Sequence, residues 1–410
     1  MSKLLIKHIG MLATPEGKTA RRGREQGEIR VLKDAWVLCE DGRISEVGTG
    51  EVPADGAANA DVIDAEGNLV TPGLVDAHTH LIFGGWRQNE LGLKLHGVSY
   101  LEILAQGGGI LSTVTSTRAA SEEALADKAA KALDEMMTFG TTTCEAKSGY
   151  GLDLEDELKE LRAIRDLQKL HKMDLAATFM GAHAVPVEYK EDREGYLKLL
   201  CEEMIPAVAE QKLAKFCDVF CETGVFTAQE SKRILECGKR YGLIPKIHAD
   251  EIDPIGGSVL AGEIGAISAE HLIVCPPEGI ASMAKGGTIA CLLPATSFYL
   301  GAVFAPARDM VNAGVPVAMA TDFNPGSCPS LNMQFVINLG CLKYKLTPEE
   351  VLTAVTLNGA AAIRMADEVG SVEPGKKADL VIWDAPDLDY ICYRMGSNLA
   401  KTVVKAGKRV

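Results

Sequence analysis

The chain has 410 residues, of which 47% are hydrophobic and 24% charged, enough apolar material for a large core and a composition that excludes a disordered or fibrous chain. Forty-two Lys plus Arg stand against 56 Asp plus Glu, a formal net charge of −14, and no basic stripe interleaved with aromatic residues appears. Nucleic acid and anionic membrane surfaces are therefore poor partners, although one local arginine can still hold an anionic small substrate inside a pocket.

At about 150 residues per domain the length allows two to three domains, and barrels run larger. No run approaches the roughly eighteen apolar residues of a membrane-spanning helix. Met1–Ala13 carries Lys3, Lys7 and His8, lacks a small-residue cleavage site, and reads as a β-strand rather than a signal peptide. The eleven cysteines are odd in number and show no CxxC spacing, a pattern expected of reduced and largely buried thiols in a cytoplasmic protein.

Residues 1–68 hold short β-like runs, Leu4–Leu12, Val31–Leu38, Arg43–Val47 and Val62–Asp64, separated by turn signals such as Glu40-Asp41-Gly42. From about 69 the pattern changes to strand–helix alternation. Eight candidate strands follow in order: Leu74–Leu81, Thr141–Lys147, Leu175–His183, Lys215–Glu222, Pro245–Asp250, Ala266–Leu272, Thr288–Leu293 and Pro316–Asp322. Helical patterns fall between most of them. Glu122–Met137 places Leu125, Ala129, Leu133 and Met136 on one face, and Thr227/Glu230 and Thr347/Glu350 are capping boxes. Eight such repeats within residues 69–364 predict a (β/α)8 barrel with its reacting groups at the C-terminal strand ends. A doubly wound sheet is the alternative, but no GxGxxG follows an early strand. Residues 365–410 return to β-like runs, Ala378–Trp383 and Lys401–Lys405. Neither terminal piece is long enough for its own core, so the two are expected to form one small β-sandwich domain.

Only eight histidines occur: His8, His78, His80, His96, His171, His183, His248 and His271. In Asp76-Ala77-His78-Thr79-His80 two imidazoles lie two residues apart on a strand, so both point to one face. His248 closes strand five and Asp322 strand eight. Three nitrogens and one carboxylate leave an open position for water, the arrangement of a catalytic metal centre. Each residue alone has a plainer explanation, a histidine satisfied by backbone partners or an aspartate capping the turn before Asn324-Pro325-Gly326. Their joint placement at one barrel mouth does not.

On these residues the chain resembles the amidohydrolase superfamily of metal-dependent barrel hydrolases, and further segments narrow the resemblance to its imidazolonepropionase family. Those segments are Pro72–Gly85 around the histidine pair, Gln106–Ile110, Lys147-Ser148-Gly149-Tyr150-Gly151-Leu152, Gly181–Pro186, His248-Ala249-Asp250-Glu251 and Thr321–Ser327, spread over residues 70–330. The resemblance implies hydrolysis of the ring amide of 4-imidazolone-5-propanoate to N-formimidoyl-L-glutamate in histidine degradation, with one metal ion, zinc or iron. It assigns Arg87, Tyr150 and His183 to substrate contact, with Asn324, Gly326 and Ser327 near the carboxylate or ring. Glu251 would sit at the ring nitrogen and pass a proton, His271 would orient water or stabilise the oxyanion, and Asp322 would serve as ligand and proton acceptor. A homodimer is the family expectation. Bridging a second metal would call on a lysine or glutamate of a middle strand. Lys147 ends strand two and reads as a structural or substrate-orienting residue, and Glu222 reads equally as a strand-to-helix turn. Another cyclic amidase or a nucleobase deaminase of the same superfamily is the alternative. Gln106–Ile110 lacks the lysine of a phosphate loop and reads as a mobile active-site loop.

Overall fold

The computed structural model describes residues 2–53, 58–98 and 108–410. Gln106 and Gly107 of the glycine-rich segment lie outside the described residues. Eight parallel strands, Leu74–Asp76, Thr141–Lys147, Asp174–Ala182, Phe216–Cys221, Ile244–Ala249, Ser268–His271, Ile289–Leu292 and Val317–Met319, pair strictly with their sequence neighbours. Their cores coincide with the eight expected segments. Several end short of the expected C-terminal residue because the chain bends out of the ladder where the site begins.

The seam between the first and last strands closes beyond both. Asp322 N donates to His78 O at 3.0 Å and His80 N to Phe323 O at 2.9 Å. Residues 77–80 thus stay extended although the ladder proper stops at Asp76. The barrel closes on the backbone of the candidate ligands.

The helices form where the side-chain chemistry directs them. Glu122–Thr138 starts at Ser121, whose side chain accepts from Ala124 N, and buries Leu125, Ala129, Leu133 and Met136. Both capping boxes are present, opening Ala228–Arg240 at Thr227 and Pro348–Ala354 at Thr347. Leu154–Leu170 starts at Asp153 and turns Leu158, Leu161, Ile164 and Leu167 inward.

The termini combine into an eight-stranded mixed sheet. Its path runs Lys408–Arg409, Ala400–Lys405, Leu380–Trp383, Leu69–Pro72, Lys3–Thr14, Arg30–Glu40, Arg43–Thr49, with Asp61–Asp64 alongside the first half of Lys3–Thr14. Leu69–Pro72, just past the expected boundary at 68, still belongs to this sheet, pairing with Met11–Leu12 and with Leu380–Ile382. The sheet encloses its own core, built from Ile6, Ile9, Leu12, Val37, Ile44, Val70, Leu380, Ile382 and Val404.

A buried ion cluster ties this sheet to the barrel. Lys405 Nζ lies 2.6 Å from Asp379 Oδ2 and 2.6 Å from Oδ2 of Asp174, the first residue of the third barrel strand, and Lys377 reaches Asp174 at 2.8 Å. Burial works against the Asp174 charge, but Lys405 and Lys377 hold its carboxyl below the usual range. Its stabilising contribution is therefore present above the ordinary carboxylate pKa of about 4 and fades as pH falls through the lowered value. Lys405→Met, which takes the lysine from buried Asp379 and leaves part-buried Asp174 with Lys377 alone, should cost about 3 kcal/mol in denaturant unfolding, and a loss under about 1 kcal/mol would show that the cluster is not an anchor.

Candidate active site and metal centre

The mouth of the barrel gathers every histidine that the sequence placed at a strand end. His78 Nε2 and His80 Nε2 each lie 3.5 Å from Asp322 Oδ1, and His248 Nε2 lies 3.4 Å from His80 Nε2. His271 forms a second triangle with His78 and His248, their nitrogens within 4.8 Å of one another. All are buried. His271 and Asp322 adopt left-handed backbone conformations, φ 68° and 57°, which non-glycine residues hold only where the surroundings over-determine them.

These residues fit a metal ion. Among the described residues His78 Nε2 and Asp322 Oδ1 are buried without a hydrogen-bond partner, an expensive condition unless a cation is meant to lie between them. The opposite atoms are occupied. His78 Nδ1 faces Glu270 Oε2 at 2.9 Å, His248 Nδ1 faces Asp218 Oδ1 at 3.1 Å, and Thr296 Oγ1 donates to Asp322 Oδ2 at 2.6 Å. A carboxylate on Nδ1 fixes the tautomer whose Nε2 lone pair points inward. Burial first, then the charge of Lys147 and the neighbouring rings, pushes the His78 pKa far below its ordinary value. Burial and the His183 and His248 rings do the same for His80. Both shifts favour the neutral ring, the form that a ligand needs. Nitrogen and oxygen donors of this kind suit a transition-metal ion.

Beneath the ligands lies a lattice of charges that the sequence reading missed. Lys147 Nζ bonds Asp218 Oδ2 at 2.7 Å and Glu145 Oε2 at 2.9 Å, while Lys246 Nζ bonds Glu145 Oε1 at 2.7 Å and approaches Glu270 Oε1 at 3.4 Å. All five are fully buried. Burial opposes the Lys147 charge, but Asp218, Glu145 and Glu270 outweigh it and hold the ammonium form firmly. Lys147 is thus a structural residue. Glu222 is spent as well, accepting from the backbone N–H groups of Thr223, Ile252 and Asp253 at 2.8–3.0 Å. One signal could have revealed the lattice. Charged residues inside parallel strands buried on both faces have no solvent to reach and must pair.

The remaining candidates ring the centre. The His183 ring stacks on His80 at 4.8 Å with a 16° interplanar angle, and its Nδ1 lies 3.0 Å from Gly149 O. The Tyr150 ring is buried 5.1 Å from His183 and 6.0 Å from His80. Glu251 Oε2 stands 3.6 Å from His271 Nε2, and burial lifts its carboxyl to about 7. Arg87 lies against the loop after the last strand, where a Cβ on residue 326 would fall 1.2 Å from Nη2, so a larger residue there would displace the guanidinium. Among the described residues Arg87 Nε is buried without a hydrogen-bond partner, leaving a guanidinium edge for an anion. Asn324 orders that loop, its Oδ1 accepting from Gly326 N at 2.8 Å and Ser327 N at 2.7 Å. The turn expected at Asn324-Pro325-Gly326 is therefore present, and it directs the Gly326 and Ser327 N–H groups to Asn324 itself.

Known proteins place this geometry. The amidohydrolase family model matches residues 69–410. Imidazolonepropionase of Alkaliphilus metalliredigens is 53% identical over 100% of this chain and 98% of its own, and that of Brevibacillus brevis 52% identical over 98% and 96%. Among solved structures, the zinc complex of atrazine chlorohydrolase from Arthrobacter aurescens superposes with a TM-score of 0.74 at 18% identity, covering 99% of this chain and 94% of its own. An adenosine deaminase from Xanthomonas campestris with bound zinc gives 0.71 at 21%, over 100% and 92%. At that identity the likeness speaks for the fold alone. Half-identical relatives along the whole length speak for more: the chain belongs to the amidohydrolase family and, within it, to the imidazolonepropionases.

Proposed function

We propose that this enzyme hydrolyses the ring amide of 4-imidazolone-5-propanoate to N-formimidoyl-L-glutamate. The observation that carries the reading is the Arg87 guanidinium beside Gly326, on the same barrel mouth as the His78, His80, His248 and Asp322 donors. An anionic tail and a cyclic amide are what those two features accept together. A nucleobase deaminase with these donors has no carboxylate for Arg87 to hold.

His78, His80, His248 and Asp322 would hold one zinc or iron ion, because Lys147 and Glu222 are already engaged in other bonds. When bound, such an ion supplies Lewis acidity, polarising the amide carbonyl and acidifying water. The protein does the rest. Arg87 and the Asn324–Ser327 turn take the propionate tail, and Tyr150 and His183 flank the ring. Water attacks the ring carbonyl carbon, and its proton passes to Glu251. His271 stabilises the charge developing on the carbonyl oxygen, with Asp322 as a second proton acceptor. As the C–N bond breaks, Glu251 returns the proton to the departing nitrogen, leaving the new carboxylate and the formimidoyl amine. Eleven thiols free of disulfides suit a cytoplasmic setting.

Protein supplied with freshly generated substrate should form N-formimidoyl-L-glutamate by mass, lose that activity on chelation and regain it with zinc or iron. Absence of product from metal-loaded protein would refute the assignment. Because Glu251 acts first as a base and titrates at about 7, kcat/KM should decline as pH drops below that value. Glu251→Gln should lower kcat by about 10²–10⁴-fold and flatten that acid limb, whereas an unaltered limb would move the ionisation to another group.

A further inference from the structure

Two buried acids lie outside the chemistry just described. Glu157 and Glu160 stand one turn apart on the helix Leu154–Leu170, both fully buried, and among the described residues neither forms an ion pair with a lysine or arginine. Their partners are backbone donors of one loop. Glu160 Oε2 accepts from Gly149 N at 3.4 Å, Tyr150 N at 3.2 Å and Gly151 N at 2.8 Å, while Glu157 Oε1 accepts from Gly151 N at 3.0 Å and Leu152 N at 2.9 Å. Four consecutive N–H groups thus converge on two carboxyl groups, a concave nest of the kind that elsewhere binds an external anion.

The loop so held does not adopt an ordinary shape. Gly149 has φ 124° and Leu152 φ 55°, the latter a strained value for a branched side chain. At Gly151 a Cβ would fall 2.5 Å from Glu157 N, so the loop lies directly on the first turn of the helix. Arg118 Nε fixes the same segment from outside, donating to Gly151 O at 2.7 Å. Two site groups depend on this segment. Tyr150 is part of it, and Gly149 O meets His183 Nδ1 at 3.0 Å, setting the ring that stacks on His80.

We infer that Glu157 and Glu160 are positioning residues for substrate binding: from beneath the active site they fix the 149–152 loop, and through it Tyr150 and His183, without touching the substrate. The inference rests on the reading of Tyr150 and His183 as substrate contacts. It assigns a function to a buried acid pair that contributes nothing at the reacting atoms, and it predicts a loss in affinity rather than in turnover.

The test is steady-state kinetics with 4-imidazolone-5-propanoate, with bound metal counted in each variant. Glu160→Ala should raise KM about tenfold or more and leave kcat within about threefold, because mispositioned contacts weaken binding while the reacting groups stay in place. Its metal content should equal that of the unaltered enzyme. Glu160→Gln keeps a carbonyl oxygen to accept the same N–H groups and should restore KM to within about threefold. An unchanged KM in Glu160→Ala, a fall in kcat alone, loss of metal, or a glutamine variant as impaired as alanine each overturns the inference. If Glu160→Ala does not fold, Glu160→Asp, which draws the acceptor back by one methylene, takes its place with the same criteria. Failure of both to fold assigns the pair to stability and overturns the proposal too. Tyr150→Ala, which removes the ring that flanks the substrate, separates the two levels. An unchanged KM there refutes the substrate-contact reading, whereas a raised KM there beside an unaltered one in Glu160→Ala refutes only the clamp.

Discussion

Inside the barrel two lysines and three carboxylates form a closed set of ion pairs, and the candidate metal site stands on it. Lys147 and Lys246 share Glu145, and their other partners, Asp218 and Glu270, are the groups that face the Nδ1 atoms of His248 and His78. Burying five charges is costly, and such a set is tolerable only when every member is paired in good geometry. In return the imidazoles lose the freedom to flip or change tautomer. Two donor nitrogens are then aimed before any ligand arrives, which is what a low-reorganisation site requires.

The seam of the barrel adds a second constraint. The hydrogen bonds that bring the last strand to the first run through the backbone of His78, His80, Asp322 and Phe323. Barrel closure and ligand convergence are thus one event, and the left-handed φ of Asp322 is held by that seam and by Thr296 on its carboxylate. Around this rigid floor stand the loops, the part of a barrel enzyme that usually carries selectivity. Arg87 rests on Gly326, and the 149–152 loop rests on Glu157 and Glu160.

Much of this was legible in the residues themselves. Short strands with histidines at or near their C-terminal ends leave a strong imprint, because a parallel sheet buried on both faces tolerates polar residues only where they are used. The alternation in His78-Thr79-His80 gave the shared face directly, and both threonine capping boxes marked helix starts correctly. What escaped was anything whose meaning lies in a distant partner. Glu145, Asp218, Lys246 and Glu270 each sit beside a residue of plainer interest, and no local pattern says that they meet. Glu157 and Glu160 resemble the polar face of an amphipathic helix, since only the fold shows that a loop covers them. The strand Leu69–Pro72 fell on the barrel side of the expected boundary at 68 because four residues carry too little periodicity to register.

The claim that joins these parts is that the buried carboxylates aim the histidines at a metal ion. Zinc affinity of Asp218→Asn, measured by chelator competition on folded protein, tests it most directly. Removing that charge while keeping the shape should weaken zinc binding about 10–100-fold relative to the unaltered enzyme. An affinity equal to that of the unaltered enzyme would contradict it, and the lattice would then serve only the packing of the barrel.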